Sequence, residues 1–448
     1  MKKLIAVALF ACLSGAAFAQ STLPPPALTD PVLSAQREAK AKRQRLFVEF
    51  QAPWCYSCYY MATNVLNGEE WTRVRGDMVR LDLDADSPDG SRWMQDWKIQ
   101  VLPTFVLLDS EGRELGRIVG EQTRRDFYTW LFSTRDRGET LEGLKAKVVD
   151  DKAASLAAAQ EVLRTFHARY DAEGGLAWYT ALAPAVRTAV ARDNDASNWI
   201  ARLELMRAAK DKESMACAQT GEAVLSANLG CERPYELGRY RACTAQQTLA
   251  ERGDLLRSQV ELMRLLFEKR VLGESRCADE RSIVLESADL YQVLGDPARE
   301  AKVLDLAIAD VQKRIAGDLK KDRNLSDNLR VYLDRAGKTA EVDALLLKLI
   351  DAYPDDYVYA YRFGKSLAAR GRHAEALKYF EMAAPKAYGV NRLRNAELRA
   401  RTLISLNRKV DAWKVIGEAL QDNGPWFPDD AARLLAIKAE LSPSKPAS

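Results

Sequence analysis

Residues 47–58 read Phe47-Val48-Glu49-Phe50-Gln51-Ala52-Pro53-Trp54-Cys55-Tyr56-Ser57-Cys58. Residues 46–50 are a short apolar run of strand-favouring side chains, which predicts a buried strand with Cys55 just beyond its end. Residues 58–68, closed by a glycine, predict a helix that starts at the two cysteines. A cysteine at a helix N-terminus meets unpaired backbone N–H groups and the positive end of the helix dipole, which favours its thiolate. Cys55 is therefore the expected nucleophile. Cys58, one turn in and expected to be less exposed, is the resolving thiol that attacks the mixed disulfide and releases the client. Two thiolates at this spacing also suit zinc. That alternative lacks partners, since His167 and His373 lie far away in the second half and there is no second CxxC. A merely structural bridge would explain neither Trp54 before the pair nor Pro103 later in the chain.

Working outward, residues 32–45 predict a charged helix before the first strand. After the CxxC helix come a strand at 78–83, a helix at 91–98, a strand at 104–108, a turn at 110–112, a strand at 114–119 and a helix at 124–133. The order β-α-β-α-β-β-α over about 90 residues suits one small α/β domain.

The segment 47–58 resembles the active-site segment of the thioredoxin and protein disulfide isomerase superfamily, in which an apolar strand, an acid and Trp precede the CxxC. The resemblance covers roughly residues 35–133. Val101-Leu102-Pro103-Thr104 matches that family's cis-proline loop, and Gly120 the glycine after its last strand. By this resemblance Glu49 is the buried acid beneath the cysteines that exchanges a proton with the resolving thiol. A carboxylate in an apolar setting has a raised pKa and serves as a base near neutrality. Arg80 falls where the family often has a basic residue near that acid. Pro103 should follow a cis bond and present the Leu102 backbone to a client strand, and Trp54 should cover the site and contact clients. The chain departs from the family at Tyr56-Ser57, which is neither the His of oxidising members nor the Pro of thioredoxin, and at Tyr59, where thioredoxins usually carry Lys. Without a cationic neighbour the thiolate is less stabilised, which moves the pair toward the reducing side. The site is similar to the periplasmic thioredoxin-like domain of bacterial transmembrane disulfide reductases.

Beyond Gly138 the composition turns to Ala, Leu, Arg and Glu, with apolar residues at three- and four-residue spacing, so the chain is expected to be helical to near Leu441. Gly364, Gly371, Ala376, Phe380 and Ala383 match the small and bulky positions of a tetratricopeptide repeat, in which small residues let two helices approach and Phe fills the gap. Ala400, Leu403, Ala412, Ile416 and Ala419 fit a second copy. Gly295 with Tyr291 and Ala307, and Gly337 with Pro354, mark weaker ones. Cys217, Cys231, Cys243 and Cys277 allow three pairings. If the chain turns back near Gly230, Cys217 and Cys243 lie equidistant from the turn, and Cys231 and Cys277 both fall in loops; structural bridges, a redox relay and free thiols all remain open.

At the N-terminus, Met1-Lys2-Lys3, the apolar stretch 4–13 and Ala17-Phe18-Ala19 predict an export signal cleaved after Ala19, which would remove Cys12 and leave six of the seven cysteines for an oxidising compartment. Pro24, Pro25, Pro26 and Pro31 predict an extended linker. No later apolar run reaches the roughly 18 residues a membrane span needs, so no membrane insertion is expected. The formal charge of +3, from 66 basic and 63 acidic residues without a basic block, gives no reason to expect a nucleic-acid partner.

The expected organisation is a signal at 1–19, a linker at 20–34, a thioredoxin-like α/β domain at 35–137, a helical domain at 138–279, tetratricopeptide-like repeats at 280–441 and a tail at 442–448. The expected function is that of a periplasmic thiol–disulfide oxidoreductase, a reductase or isomerase more than an oxidase. It would use Cys55, Cys58, Glu49 and Pro103 in catalysis and Trp54 and Leu102 to bind clients, without cofactor or metal. Its partners would be client proteins with disulfides or thiols and an upstream redox protein. The alternative is a periplasmic adaptor in which the helical repeats are the functional part.

Overall fold

The computed structural model describes residues 30–441. The export signal, most of the proline-rich linker and the tail therefore lie outside the described residues.

The chain enters through α1 (Pro31–Lys42), whose N-cap Asp30 accepts from the N–H groups of Val32 and Leu33 while Pro31 takes the first turn, where its missing donor costs nothing. β1 (Arg45–Gln51), α2 (Tyr56–Asn64), α3 (Gly68–Gly76), β2 (Met78–Asp84), α4 (Pro88–Asp96), β3 (Thr104–Leu108), β4 (Glu114–Val119) and α5 (Arg124–Arg137) follow. The strands order as β2-β1-β3-β4, with β1 parallel to β2 and antiparallel to β3, and β4 antiparallel to β3. This is the α/β thioredoxin-like arrangement the sequence predicts, with α3 as an addition. In α3, Trp71 and Val74 are buried at helical spacing, with Glu69 and Glu70 in the first turn and Arg73 and Arg75 in the last, as the helix dipole favours. The helices also depart from their expected limits: α1 ends at Lys42 instead of residue 45, α2 runs Tyr56–Asn64 instead of 58–68 because Cys55 is its N-cap, and α4 and α5 differ for local reasons as well. Ser87 caps α4 by accepting from the Gly90 N–H at 2.9 Å, so the helix begins at Pro88, and α5 runs on to Gly138, which ends it in the left-handed conformation at φ 63°.

Side chains alternate across β1. Leu46, Val48 and Phe50 pack with α1, Val106 and Leu108 on one face, while Phe47 joins Met61, Trp71, Phe105, Phe127 and Leu131 on the other. The face that carries Phe47 also carries Glu49, which sets this acid beneath α2.

From Leu141 to Leu441 the described chain is all helical, a stack of consecutive helices. One buried apolar cluster runs from Leu205 to Phe380, a second from Leu141 to Met206 and a third from Leu377 to Ile437. The repeat reading of Gly364 has a direct basis. A Cβ there would sit 2.9 Å from the ring of Phe380 and 3.2 Å from the Ala376 carbonyl, so only glycine lets the helices Val358–Ala369 and His373–Ala383 approach this closely. Cys217 is bridged to Cys243 and Cys231 to Cys277, the pairing that follows from a reversal near Gly230. Among the described residues no helix is long and apolar enough to cross a membrane, and no cluster of His, Cys, Asp and Glu is arranged to hold a metal ion.

The stack does not trail away from the α/β domain but packs back on it. The helix Arg323–Arg335 lies against α2, and the helix Ala153–Ala168 against β4.

Candidate functional site

β1 delivers the chain to Cys55, which is the N-cap residue of α2. Its sulfur accepts the N–H of Cys58 at 3.1 Å, and the two cysteines are disulfide-bonded. A sulfur held in this place has a backbone donor and the positive helix end available to it when reduced. Both cysteines are 4 % exposed, so Cys58 is no more hidden than Cys55, contrary to expectation. The reason lies outside the α/β domain, since the helical stack covers the start of α2.

The peptide bond between Leu102 and Pro103 is cis, and Leu102 packs against the pair formed by Cys55 and Cys58 together with Ala52 and Ala85. The loop is held by the Thr104 hydroxyl, which donates to the Val101 carbonyl at 2.6 Å, and by the Gly120 N–H, which donates to the Pro103 carbonyl at 2.8 Å. Trp54 is 36 % exposed at the edge of the site, and its indole N–H donates to Asp86 at 2.8 Å.

Glu49 is 3 % exposed, and Arg80 donates to it at 3.2 Å. Arg80 also serves Asp82 at 2.7 Å. Burial, helped by the Asp82 charge, raises the Glu49 carboxyl to about 7 against the opposing pull of Arg80. A second acid, which sequence reasoning missed, stands at the other side of the pair. Glu121, two residues after β4, is bonded to Ser57, and Asn324 donates to it at 3.2 Å. Burial and the nearby Asp279 raise it to about 8, although Arg281 and its two hydrogen bonds oppose this. Its one sequence signal is its place directly after Gly120.

The helical stack supplies the rest of the surroundings, and none of it was expected. Asn324 donates to the Tyr56 carbonyl at 3.1 Å, and Arg362 to the Trp54 carbonyl at 3.4 Å. The guanidinium carbons of Arg362 and Arg281 lie 4.2 and 5.4 Å from the Tyr56 ring centroid, and that of Arg323 lies 4.2 Å from the ring of Tyr59. The pair was expected to lack a cationic neighbour; the cations are present, contributed by helices more than 200 residues downstream. On the far side the Val390 N–H donates to the Asp86 carbonyl at 3.2 Å, and the Tyr388 hydroxyl donates to Asp84. Two cavities remain beside the covered pair. One of about 920 Å³ is lined by Ser57, Leu102, Glu121 and Tyr235 among others, and one of about 520 Å³ by Trp54, Leu102, Met94 and Arg394. Leu102 is common to both.

Residues 33–134 match the family model of a thioredoxin-like domain. Over 93 residues the chain is 31 % identical to the thioredoxin-like protein HCF164, chloroplastic, of Oryza sativa subsp. japonica, covering 20 % of this chain and 34 % of that protein. It is 32 % identical over 89 residues to the thiol:disulfide interchange protein TxlA of Synechococcus elongatus, covering 19 % and 44 %, and 29 % identical over 121 residues to the thiol:disulfide interchange protein DsbD 2 of Pseudomonas aeruginosa, covering 26 % and 20 %. The chain spans about a third of the length of the curated relatives it first matches. Among solved structures, MamA from AMB-1 aligns with 38 % of this chain and 87 % of its own at 19 % identity and a TM-score of 0.25. The assembly chaperone of RpL4, Acl4, aligns with 64 % of this chain and 95 % of its own at 12 % identity and a TM-score of 0.28. At such scores these superpositions carry no weight, and the helical stack stands on its own packing.

Proposed function

We propose that this chain, whose residues 33–134 are a thioredoxin-like domain, is an exported, periplasmic thiol–disulfide oxidoreductase acting on client proteins. The observation that carries this reading is the place of Cys55. It is bridged to Cys58 at the first turn of α2, with Leu102 of the cis-proline loop packed against the cluster that the two cysteines form with Ala52 and Ala85. Export is inferred from residues 1–19, and the boundaries 35–137, 138–279 and 280–441 are the proposed division into domains.

In the reducing direction the Cys55 thiolate attacks a client disulfide, forming a mixed disulfide and releasing one client thiolate, which takes up a proton. Glu49 accepts the proton of Cys58, and the Cys58 thiolate attacks the Cys55 sulfur. The second client thiolate leaves, and the Cys55–Cys58 disulfide is restored. An upstream redox protein would then reduce it with two electrons and two protons. Leu102 and Pro103 offer the backbone edge along which a client strand lies, and Trp54 flanks it. The uncharged dipeptide Tyr56-Ser57 by itself leans toward reductase or isomerase, whereas Arg281 and Arg362 against Tyr56 lean toward oxidase, so the glutathione equilibrium of the pair decides the direction. The mature protein should reduce insulin with dithiothreitol as electron source, and Cys55→Ser should abolish this.

The covering of Tyr56 by the stack favours a second reading, an adaptor whose helical repeats bind a partner while the thioredoxin-like domain is structural. Failure of the intact mature protein to reduce insulin or any linear disulfide peptide would decide for the adaptor.

A further inference from the structure

We propose that Arg362, delivered by the helical stack, is the cation that stabilises the Cys55 thiolate, and that Arg281 and Arg330 keep its charge from being cancelled. The inference rests on the reading of Cys55 as the attacking thiol. Arg362 touches both chain neighbours of Cys55, donating to the Trp54 carbonyl at 3.4 Å and lying 4.2 Å from the Tyr56 ring centroid. Consecutive Cα atoms are about 3.8 Å apart, so a group gripping residues 54 and 56 is a near neighbour of residue 55.

The counter-ion of Arg362 is Asp327, at 2.9 Å. That carboxylate is fully buried and is shared, with Arg330 at 2.7 Å and Arg281 at 3.6 Å. Arg281 otherwise donates to the neutral Asn328 at 2.6 Å. One carboxylate is thus shared by three guanidiniums, of which Arg362 and Arg281 lie against Tyr56, and it cannot neutralise them all. Burying such a cluster is costly unless a negative group arrives to meet it, and a thiolate at Cys55 is such a group.

The other charged groups around α2 do not cancel this field. Arg323 is paired with Asp356. Tyr59 and Tyr60 on α2 itself are phenols, both pushed upward by burial and therefore neutral. Glu49 lies below with Arg80 and Asp82. Glu121, raised to about 8 by burial, faces Arg281, and Asp279 is engaged by the Tyr235 hydroxyl, which donates to it at 2.7 Å. Asp84 accepts from Tyr388. Asp86 is the main opponent, yet it reaches the indole tip of Trp54 and not its backbone, and Arg394 faces it at 3.9 Å. Arg362 stays charged, since burial lowers it to about 9.

A thiolate-stabilising cation favours the reduced pair in the exchange of dithiol and oxidised glutathione for the Cys55–Cys58 disulfide and two reduced glutathiones. Arg362→Gln in the full-length protein should raise the Cys55 pKa, followed by thiolate absorbance at 240 nm, by about one unit. It should shift that equilibrium about tenfold toward the disulfide, which is about 30 mV more reducing. Arg362→Lys, which keeps the charge, should keep more than half of each effect. If Arg362→Gln does not fold, Arg330→Gln, which leaves the contacts of residues 54 and 56 in place, should shift the equilibrium in the same direction by about threefold. Shifts below twofold in the variant that folds, or a Lys variant displaced as far as the Gln variant, would overturn the proposal. A Cys55 thiol in the parent protein that titrates in the ordinary thiol range would also overturn it, whereas preferential alkylation of Cys58 over Cys55 would instead sink the assignment of Cys55 as nucleophile.

Discussion

Burial of Glu49 outweighs its ion pair because Arg80 divides its charge between Glu49 at 3.2 Å and Asp82 at 2.7 Å, and the carboxyl rises to about 7. Two outcomes follow at this residue. As a base it works in its ionised form, so the release of a mixed disulfide by Cys58 should accelerate as pH rises through about 7. Glu49→Gln should slow that step on the order of 100-fold and flatten the profile, measured in single turnovers with a fluorescent disulfide peptide. The same raised pKa acts on stability. The folded protein holds a proton that the unfolded chain has lost above the ordinary carboxyl range. The stabilisation is therefore complete below that range and fades as pH rises through about 7. Glu49→Gln should gain stability over the parent protein at pH 8, with the gain vanishing near pH 4, as urea midpoints would record. A loss of stability at pH 8 that vanishes toward acid pH would mean that Arg80, and not burial, governs this group.

At the scale of elements, what the sequence revealed is what local chemistry determines. β3 and β4 have the predicted limits because each is a short apolar or alternating run closed by a turn, and Cys55 begins α2 because a capping side chain is specified within four residues. The cis bond before Pro103 was legible through family resemblance alone, and the pairing of Cys217 with Cys243 through their symmetric distance from Gly230. α3 went unread although Trp71 and Val74 share a face, because nine residues carry too little periodicity to stand out from a loop. The two bridges in the stack close separations of 26 and 46 residues, for which chain entropy allows up to about 3.5 and about 4 kcal/mol. That exceeds an exposed ion pair several-fold. Replacing Cys231 and Cys277 together by Ala should lower stability by about 2–4 kcal/mol and leave the glutathione equilibrium of Cys55 and Cys58 unchanged. A shifted equilibrium would show that this bridge exchanges electrons with the CxxC pair.

For the molecule as a whole, the residues that complete the site were illegible because nothing local distinguishes them. Arg281, Asn324 and Arg362 look like ordinary polar positions on amphipathic helices, and only the return of the stack onto α2 gives them Tyr56 and Trp54 as neighbours. A second point of contact between stack and α/β domain is set by Gly389. Its φ is 52°, and a Cβ there would lie 1.9 Å from the Asp86 carbonyl oxygen, a backbone atom that cannot swing aside. Gly389→Ala should therefore loosen the contact in which Val390 donates to Asp86, beside the cavity shared by Trp54 and Leu102. The consequence concerns which disulfides reach Cys55. With the stack docked and both cysteines buried, two cavities lined by Leu102 lie beside the pair, and a single extended chain fits such spaces better than a folded surface does. Cys58→Ser holds the mixed disulfide at Cys55, because the resolving thiol is gone, and so converts access into a countable adduct. In that background Gly389→Ala should raise the yield of adducts with a folded disulfide protein several-fold while leaving that of a short linear disulfide peptide unchanged, as intact-mass spectrometry would measure. An equal rise for both would mean that the stack does not gate entry by shape, and a fall for both that the docked stack is itself needed for Cys55 to react.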